Sequence, residues 1–191
     1  GGAQGDGHRH DPSMSADLRY VAFRSQATNL VPGDTNGLDD IFVRDRQTNT
    51  TERVSVASNE IQGTGGIEGS LSATITPDGR YVVFQSSANN LVPGDTNGVQ
   101  DIFVRDRQAG TTERVSLTSG GVQGNSTSIR PAITPDGRYV AFSSFATNLV
   151  PGDTNGVNDV FVRDRQLGTT ERVSIDSVGT QGNFDSFKPS I

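Results

Sequence analysis

The sequence contains no cysteine, no tryptophan, one methionine and two histidines among its 191 residues. The absence of cysteine excludes disulfides, cysteine-ligated zinc, thiol nucleophiles and c-type haem attachment. No apolar run approaches the roughly 18 residues that a membrane-spanning helix needs, and the N-terminal segment has no hydrophobic stretch typical of an export signal. We therefore expect a soluble chain from which any export signal has been removed.

The sequence also has little positive charge. It carries 16 basic and 22 acidic residues, for a net charge of −6, and Lys188 is its only lysine. An acidic chain without a basic run is a poor binder of nucleic acid or anionic membranes, so we expect no nucleic-acid partner and no membrane insertion. Because arginine forms planar, bidentate contacts with carboxylates, its dominance over lysine predicts fixed internal ion pairs.

The sequence is a threefold repeat. The phrase NLVPGDTNG occurs at Asn29–Gly37, Asn90–Gly98 and Asn148–Gly156, so the copies lie 61 and 58 residues apart. The words RYVAF or RYVVF, then IFVRDRQ or VFVRDRQ, and then TERVS recur in the same order in each copy. One unit of about 60 residues is thus copied three times.

Each unit reads as short β-rich words separated by turns. The third copy predicts strands at Ala132–Thr134, Tyr139–Ser143, Val160–Arg163 and Glu171–Ser174. Pro135-Asp136-Gly137 predicts a tight turn between the first two strands, and a loop over 144–157 precedes the third. Apolar residues never recur at spacings of three and four, so we expect no helix. Each unit is predicted to be a four-stranded antiparallel meander.

A single meander cannot bury both of its faces, so we expect successive sheets to stack. Radial stacking covers a sheet on both sides, which explains near-continuous apolar words such as Tyr81–Phe84. The predicted fold is all-β: a β-propeller of three four-stranded antiparallel blades plus a surplus first strand of a fourth blade. A twelve-stranded β-sandwich is the alternative.

The domain prediction is one propeller or part-propeller over residues 1–191. Its blade units cover 11–58, 70–119 and 129–177, and 178–191 contains the surplus strand at Phe187–Ile191. Three blades are fewer than the 4 to 8 that usually close a ring, so we expect head-to-tail self-association into a ring or a fibre. The alternative is that the chain is an excised part of a longer propeller.

The words TPDGRYVVF at 76–84 and TPDGRYVAF at 134–142 are each followed by DIFVRDR or DVFVRDR and then by TERVS. This series resembles the repeat of TolB-type (WD40-like) β-propellers over nearly the whole chain. The resemblance implies the propeller fold, whereas that family's roles range from scaffolds to enzyme-associated domains and secreted proteins.

The first copy departs from this pattern at its hairpin. It has Leu18 where the other copies have Gly79 and Gly137. If the turn is kept, a bulky residue takes a positive-φ position at a cost of about 1 kcal/mol or more.

The GDTNG loop of each copy predicts a calcium site. Oxygen donors stand at its first, third, fifth and seventh positions, with a backbone carbonyl at the fifth. They are Asp34, Asn36, Leu38 and Asp40; Asp95, Asn97, Val99 and Asp101; and Asp153, Asn155, Val157 and Asp159. Hard oxygen ligands favour Ca²⁺, with a dissociation constant of roughly 10⁻⁴ to 10⁻³ M in the absence of a distal bidentate Glu. The alternative is a metal-free turn in which Asp and Asn cap backbone amides.

Other candidate residues favour structural roles. His8 and His10 fit a flexible tail better than a metal site. The VRDR words are expected to pair across strands with Glu52, Glu113 and Glu171. Gln4, Gln62, Gln123 and Gln181 lie in the connections between units, where they could tie neighbouring blades together.

No catalytic constellation is present. There is no G-x-S-x-G motif and no histidine beside a serine within a repeat, so we expect no enzyme activity. The favoured function is a non-catalytic, extracellular or cell-surface module, with a periplasmic location also possible, which assembles or binds protein or glycan. The alternatives are an interaction domain of a larger envelope protein or enzyme, and a carbohydrate-active enzyme.

Overall fold

The computed structural model describes residues 12–191, which form twelve β-strands. The strands are β1 Ser13–Met14, β2 Tyr20–Ser25, β3 Asp40–Asp45, β4 Thr50–Arg53, β5 Ser70–Ile75, β6 Tyr81–Ser86, β7 Asp101–Asp106, β8 Thr111–Arg114, β9 Ser128–Ile133, β10 Tyr139–Ser144, β11 Asp159–Asp164 and β12 Thr169–Arg172. They make three sheets, which we call blade 1 (β1–β4), blade 2 (β5–β8) and blade 3 (β9–β12).

Each blade is an antiparallel meander, because its strands lie side by side in sequence order. This confirms the prediction of four-stranded units. A long loop containing the GDTNG word joins the second strand of each blade to the third. Within residues 12–191 there is no helix, and therefore no helix suited to crossing a membrane.

The hydrophobic core lies between the blades. One cluster is shared by blades 1 and 2, and a second is shared by blades 2 and 3. In β6, Val82 and Phe84 belong to the first cluster, whereas Val83 belongs to the second. Blade 2 is thus covered on both faces, which accounts for its continuous apolar words. The packing is that of a β-propeller rather than of two facing layers.

The hairpin between the first two strands has the same geometry in all three blades. In blade 2, the Gly79 amide donates to the Thr76 carbonyl at 2.8 Å, and Asp78 accepts from the Arg80 amide at 2.9 Å. In blade 1, the Leu18 amide donates to the Ser15 carbonyl at 3.0 Å, and the φ angle of Leu18 is +58°. The prediction that Leu18 occupies a positive-φ position is confirmed.

Replacing Leu18 with glycine is expected to raise the free energy of unfolding by about 1 kcal/mol, because a left-handed conformation strains a residue with a Cβ by about that amount. Little packing is lost, since Leu18 is 52% exposed. Urea unfolding at low protein concentration measures the change. Leu18→Ala, which keeps the Cβ, is the control and should gain much less; an equal gain would show that backbone strain is not the cause.

All four strands of blade 3 differ from the prediction at one or both ends, and the first and fourth strands differ most. The fourth strand of blade 3 ends at Arg172 rather than Ser174, because the Ser174 hydroxyl replaces the backbone as the partner of the Val160 amide, at 3.1 Å. The first strand begins earlier than predicted, at Ser128, and passes through a bulge at Arg130, whose φ is +55°.

The predicted surplus strand at Phe187–Ile191 is not a paired strand. Its course nevertheless repeats that of β5 and β9: the Ser186 amide donates to the Asn158 carbonyl at 2.7 Å, as Ser70 does to Asp39. The φ of Lys188 is +53°, like that of Arg130. It forms no ladder because no neighbouring strand of a fourth blade lies within residues 12–191. The untested unit boundaries stay predictions.

Candidate functional site

The two aspartates of each GDTNG loop converge on one arginine. We call each group an Asp-Arg-Asp cluster: Asp34, Arg53 and Asp40; Asp95, Arg114 and Asp101; and Asp153, Arg172 and Asp159. In blade 2, Nη1 of Arg114 lies 3.1 Å from Oδ1 of Asp95 and 3.3 Å from Oδ2 of Asp101. The corresponding distances are 3.4 and 3.5 Å in blade 1, and 3.2 and 3.3 Å in blade 3. Each arginine side chain is at most 9% exposed, so these are buried ion triads.

The strands position these groups. Asp101 is the first residue of β7, and Arg114 is the last residue of the adjacent β8. The Ser116 hydroxyl, just beyond β8, donates to Oδ1 of Asp101 at 2.5 Å. The turn preceding β7 brings Asp95 to the same Nη1 atom of Arg114, so that one cation faces two carboxylates.

The asparagine of each loop fixes the turn. Nδ2 of Asn36 donates to the Gly63 carbonyl at 3.1 Å and to Oδ2 of Asp40 at 3.2 Å. Its Oδ1 accepts from the Leu38 amide at 2.9 Å. Asn97 and Asn155 repeat these contacts, with Val99 and Val157 as the amide donors.

These contacts do not fit a calcium site. The amide nitrogen of Asn36, not its oxygen, faces Asp40, and the Leu38 amide already bonds that oxygen. Gln62 donates to both aspartates, at 2.9 and 3.0 Å. The contacts favour the metal-free turn, and calcium binding stays a prediction.

Burial is the main cause of the raised pKa values of four cluster aspartates. It raises the pKa of Asp95 to about 6, with the negative charge of Asp101 adding to the effect and Arg114 opposing it. Burial likewise raises the pKa values of Asp101, Asp40 and Asp153. A carboxyl with a raised pKa binds a proton more tightly in the folded chain than in the unfolded one.

We therefore expect the free energy of unfolding to fall as the pH rises from about 4 to about 6. The contribution of Asp95 is fully present below its ordinary pKa of 3.8 and is lost as the pH rises through about 6. Asp164 acts in the opposite sense, because its hydrogen bond to Arg138 lowers its pKa to about 2 and its contribution is lost as the pH falls through that value. Urea unfolding across this pH range measures the slope. Asp95→Asn should flatten it, and an unchanged slope would contradict the assignment.

A second repeated arrangement joins neighbouring blades. Arg107 of blade 2 places its guanidinium 4.3 Å from the centre of the Tyr20 ring in blade 1, and its Nε lies 2.5 Å from Glu52 of blade 1. It also donates to the Gly79 carbonyl of its own hairpin. Arg165 of blade 3 repeats these contacts with Tyr81, Glu113 and Gly137.

The prediction that the VRDR arginines pair with glutamates on the adjacent strand of the same blade is wrong. Glu52 and Glu113 pair with an arginine of the next blade rather than across strands of their own. The aspartates of the words instead pair within their blade with the arginine of the hairpin, as in Arg138–Asp164 at 2.7 Å. In blades 2 and 3, the arginine that follows this aspartate, Arg107 or Arg165, reaches the preceding blade.

The outgoing face of blade 3, defined by Tyr139, Glu171 and Val173, lacks these contacts. Val173 is 43% exposed, whereas its equivalents Val54 and Val115 are each 1% exposed. Among the residues that the structure describes, no ion pair joins Glu171 to an arginine. On blade 1, Leu18 and Arg46 align with Gly79 and Arg107 of blade 2, and we call the edge that they define the incoming edge. There Arg46 donates to the Leu18 carbonyl at 2.8 Å.

The predicted glutamines have local partners. Gln62 binds its own loop and also accepts from Asn90 of blade 2 through its carbonyl at 2.9 Å, so it ties two blades as expected. Gln123 and Gln181 bind Thr96 and Thr154 of their loops. Gln4, His8 and His10 lie outside the described residues.

The copies differ where the second strand ends and the third begins. Blade 1 has an Arg24–Asp39 ion pair there, and blade 2 has a hydrogen bond between Gln85 and Gln100 at 2.8 Å. Blade 3 has Ser143 and Asn158, which are too short to copy that contact. Their buried side-chain polar atoms have no protein partner within residues 12–191, which suits a buried water.

No known family model and no curated protein matches the sequence. Among solved structures, the chain is similar to the putative TolB of Agrobacterium tumefaciens, with a TM-score of 0.53, 19% identity and coverage of 93% of this chain and 53% of that one. It is similar to TolB of Acinetobacter baumannii, with a TM-score of 0.50, 20% identity and coverage of 90% and 33%.

The β-propeller domain of the Trilobed protease from Pyrococcus furiosus is a further similar structure, with a TM-score of 0.52, 15% identity and coverage of 85% and 41%. The chain thus spans between a third and about a half of the length of these structures. Together with the three stacked sheets, these similarities show a β-propeller fold of the kind found in TolB.

Proposed function

We propose that the chain is a non-catalytic interaction module that docks a further propeller blade on the outgoing face of blade 3. The difference in exposure between Val173 and its two equivalents carries this proposal. Each of those equivalents is covered by the next blade, so the third exposes apolar surface that a fourth would cover.

The contacts of blade 1 with blade 2 indicate which features the docked blade must have. Tyr139 and Glu171 stand where Tyr20 and Glu52 stand in blade 1, and each of those contacts an arginine of the following blade. The occupant therefore carries an arginine after its third strand and a glycine in its hairpin. Charge complementarity between that arginine and Glu171 favours such a blade over an acidic or uncharged surface.

The absence of catalysis is part of the proposal. In all three Asp-Arg-Asp clusters one arginine contacts both carboxylates and a serine hydroxyl donates to the second aspartate. Acid and base roles require two carboxyl groups in different environments. A carbohydrate-active enzyme is therefore the weaker candidate.

A direct test extends the repeat. The segment 178–191 aligns with 120–133, so a copy of residues 134–177 placed after Ile191 completes a fourth blade. The sequence lacks cysteine, which allows Val173→Cys to be followed with a thiol reagent. We expect the extension to slow its labelling by about tenfold or more, through burial. Arg165→Glu within the added copy is the matched control and should weaken this protection. A folded extension that leaves the thiol reactive would overturn the proposal.

The remaining finer predictions stay open to experiment. Glycan binding, calcium binding and an extracellular or cell-surface location each stay predictions. A glycan array and calcium titration with a thermal readout test the first two.

A further inference from the structure

We propose that Leu18 prevents a second copy of this chain from docking on the outgoing face of blade 3, so that this face selects a blade with glycine in its hairpin. The inference rests on the proposed function and names the feature that decides which blade is accepted. It concerns the contact between a hairpin and the tyrosine of the preceding blade.

The two contacts between blades leave no room for a Cβ at the hairpin position. A Cβ added to Gly79 would lie 2.2 Å from Cδ2 of Tyr20, and one added to Gly137 would lie 2.3 Å from Cδ2 of Tyr81. Both glycines also have φ angles above +70°. Such distances are far below van der Waals contact, so any side chain at these positions must displace the tyrosine ring.

Leu18 is the equivalent residue of blade 1. Its amide makes the same hairpin hydrogen bond and its φ is also positive, so its Cβ has the direction of the Cβ built at Gly79. Tyr139 holds the position of Tyr20 on blade 3. If a second copy docked as blade 2 docks on blade 1, the Leu18 Cβ would overlap the Tyr139 ring.

The rest of the contact is complementary. Arg46 donates to the Leu18 carbonyl as Arg107 does to the Gly79 carbonyl, so its guanidinium is placed to cover Tyr139 and pair with Glu171 of another copy. Among the four contacts compared, those of the arginine with the tyrosine, the glutamate and the hairpin carbonyl and that of the hairpin with the tyrosine ring, the Cβ of Leu18 is the mismatch. The substitution Leu18→Gly removes it.

Sedimentation of the full chain over a range of concentrations tests the inference. We expect the wild-type chain to stay monomeric and Leu18→Gly to self-associate, with an affinity greater by about tenfold to a hundredfold, from relief of the overlap. Leu18→Ala is the matched control. It keeps the Cβ and should behave like the wild type.

Charge reversal shows whether the association uses the expected contact. In the Leu18→Gly background, Arg46→Glu or Glu171→Arg should abolish association, and the two together should restore it. Equal association of the wild-type and Leu18→Gly chains, or of Leu18→Ala and Leu18→Gly, would overturn the inference.

The extended chain separates the two proposals. If Leu18→Gly stays monomeric while the added blade protects Val173→Cys, the role of Leu18 is wrong and the docking face stands. If the folded added blade gives no protection, the docking face itself is wrong. Gly→Leu at the hairpin of the added blade should remove the protection and provides a second test within one chain.

Discussion

Replacing Arg114 with methionine is expected to lower the free energy of unfolding by about 3–5 kcal/mol, because removal of one partner of a buried ion group leaves the other charge uncompensated. The Arg114 side chain is 8% exposed and lies between Asp95 and Asp101, whose side chains are 3% and 0% exposed. Methionine fills much of the volume but cannot neutralise either carboxylate. Urea unfolding at pH 7 measures the loss, and Arg130→Met, at an exposed position, is the control.

Two further variants show that uncompensated charge is the cause. Adding Asp95→Asn and Asp101→Asn to Arg114→Met should recover a large part of the stability, because the neutral side chains no longer need a cation. A loss in Arg114→Met no larger than that in Arg130→Met would contradict the role of the cluster.

Calcium titration provides an independent check that Arg114 balances the charges of the two carboxylates. With the guanidinium removed, the two carboxylates lose their cation and the Gly94 carbonyl loses its donor. Millimolar Ca²⁺ should therefore raise the thermal unfolding midpoint of Arg114→Met more than that of the wild type. If calcium strongly raised the thermal unfolding midpoint of the wild type, that result would instead support the calcium site predicted from the GDTNG sequence.

Replacing Gly79 with alanine is expected to lower the free energy of unfolding by about 2–5 kcal/mol. About 1–2 kcal/mol comes from the positive φ, and the overlap with Tyr20 adds a further 1–3 kcal/mol. Gly94→Ala is the matched control, since Gly94 has a φ of +72° but no atom within 4 Å of the added Cβ. Gly94→Ala should lose only the contribution of about 1–2 kcal/mol that comes from the positive φ.

A double-mutant cycle isolates the contribution of the ring. In a Tyr20→Ala background the penalty of Gly79→Ala should shrink toward that of Gly94→Ala, because the ring atoms Cγ, Cδ2 and Cε2 that overlap the added Cβ are gone. Equal losses for the two alanine variants in the wild-type background would show that the hairpin does not meet the preceding blade as the structure has it.

The sequence predicts most of the fold because its periodic words carry local information. The Pro-Asp-Gly turns, the near-continuous apolar run in β6 and the repeat length together favour stacked meanders, and the positive φ of Leu18 follows from alignment with Gly79. The strand ends were less well predicted, because the Ser174 hydroxyl stands in for a backbone partner, and period-2 patterns carry no sign of that.

The site was less predictable. Asp95 and Asp101 resemble metal ligands in a linear reading, and Arg114 lies 13 residues beyond Asp101, on the neighbouring strand. Only strand register brings this cation between the two carboxylates. The repeated E-R pair in the TERVS word was the available signal, since its two residues alternate between faces and therefore meet different partners.

The pairing of Arg107 with Glu52 depends on contact between blades, which a single unit cannot indicate. The same applies to the role of glycine in the hairpin. Its positive φ is readable from the turn type, but its close approach to a tyrosine of the preceding blade requires the stacked arrangement.

Blades 1 and 2 are each covered by the blade that follows, whereas the outgoing face of blade 3 is exposed. Thiol labelling of Val54→Cys, Val115→Cys and Val173→Cys in the otherwise cysteine-free chain tests this arrangement. We expect the first two variants to react about a hundredfold more slowly than the third, because labelling at a buried site requires the blades to open. Similar rates at all three equivalent positions in folded chains would contradict the account.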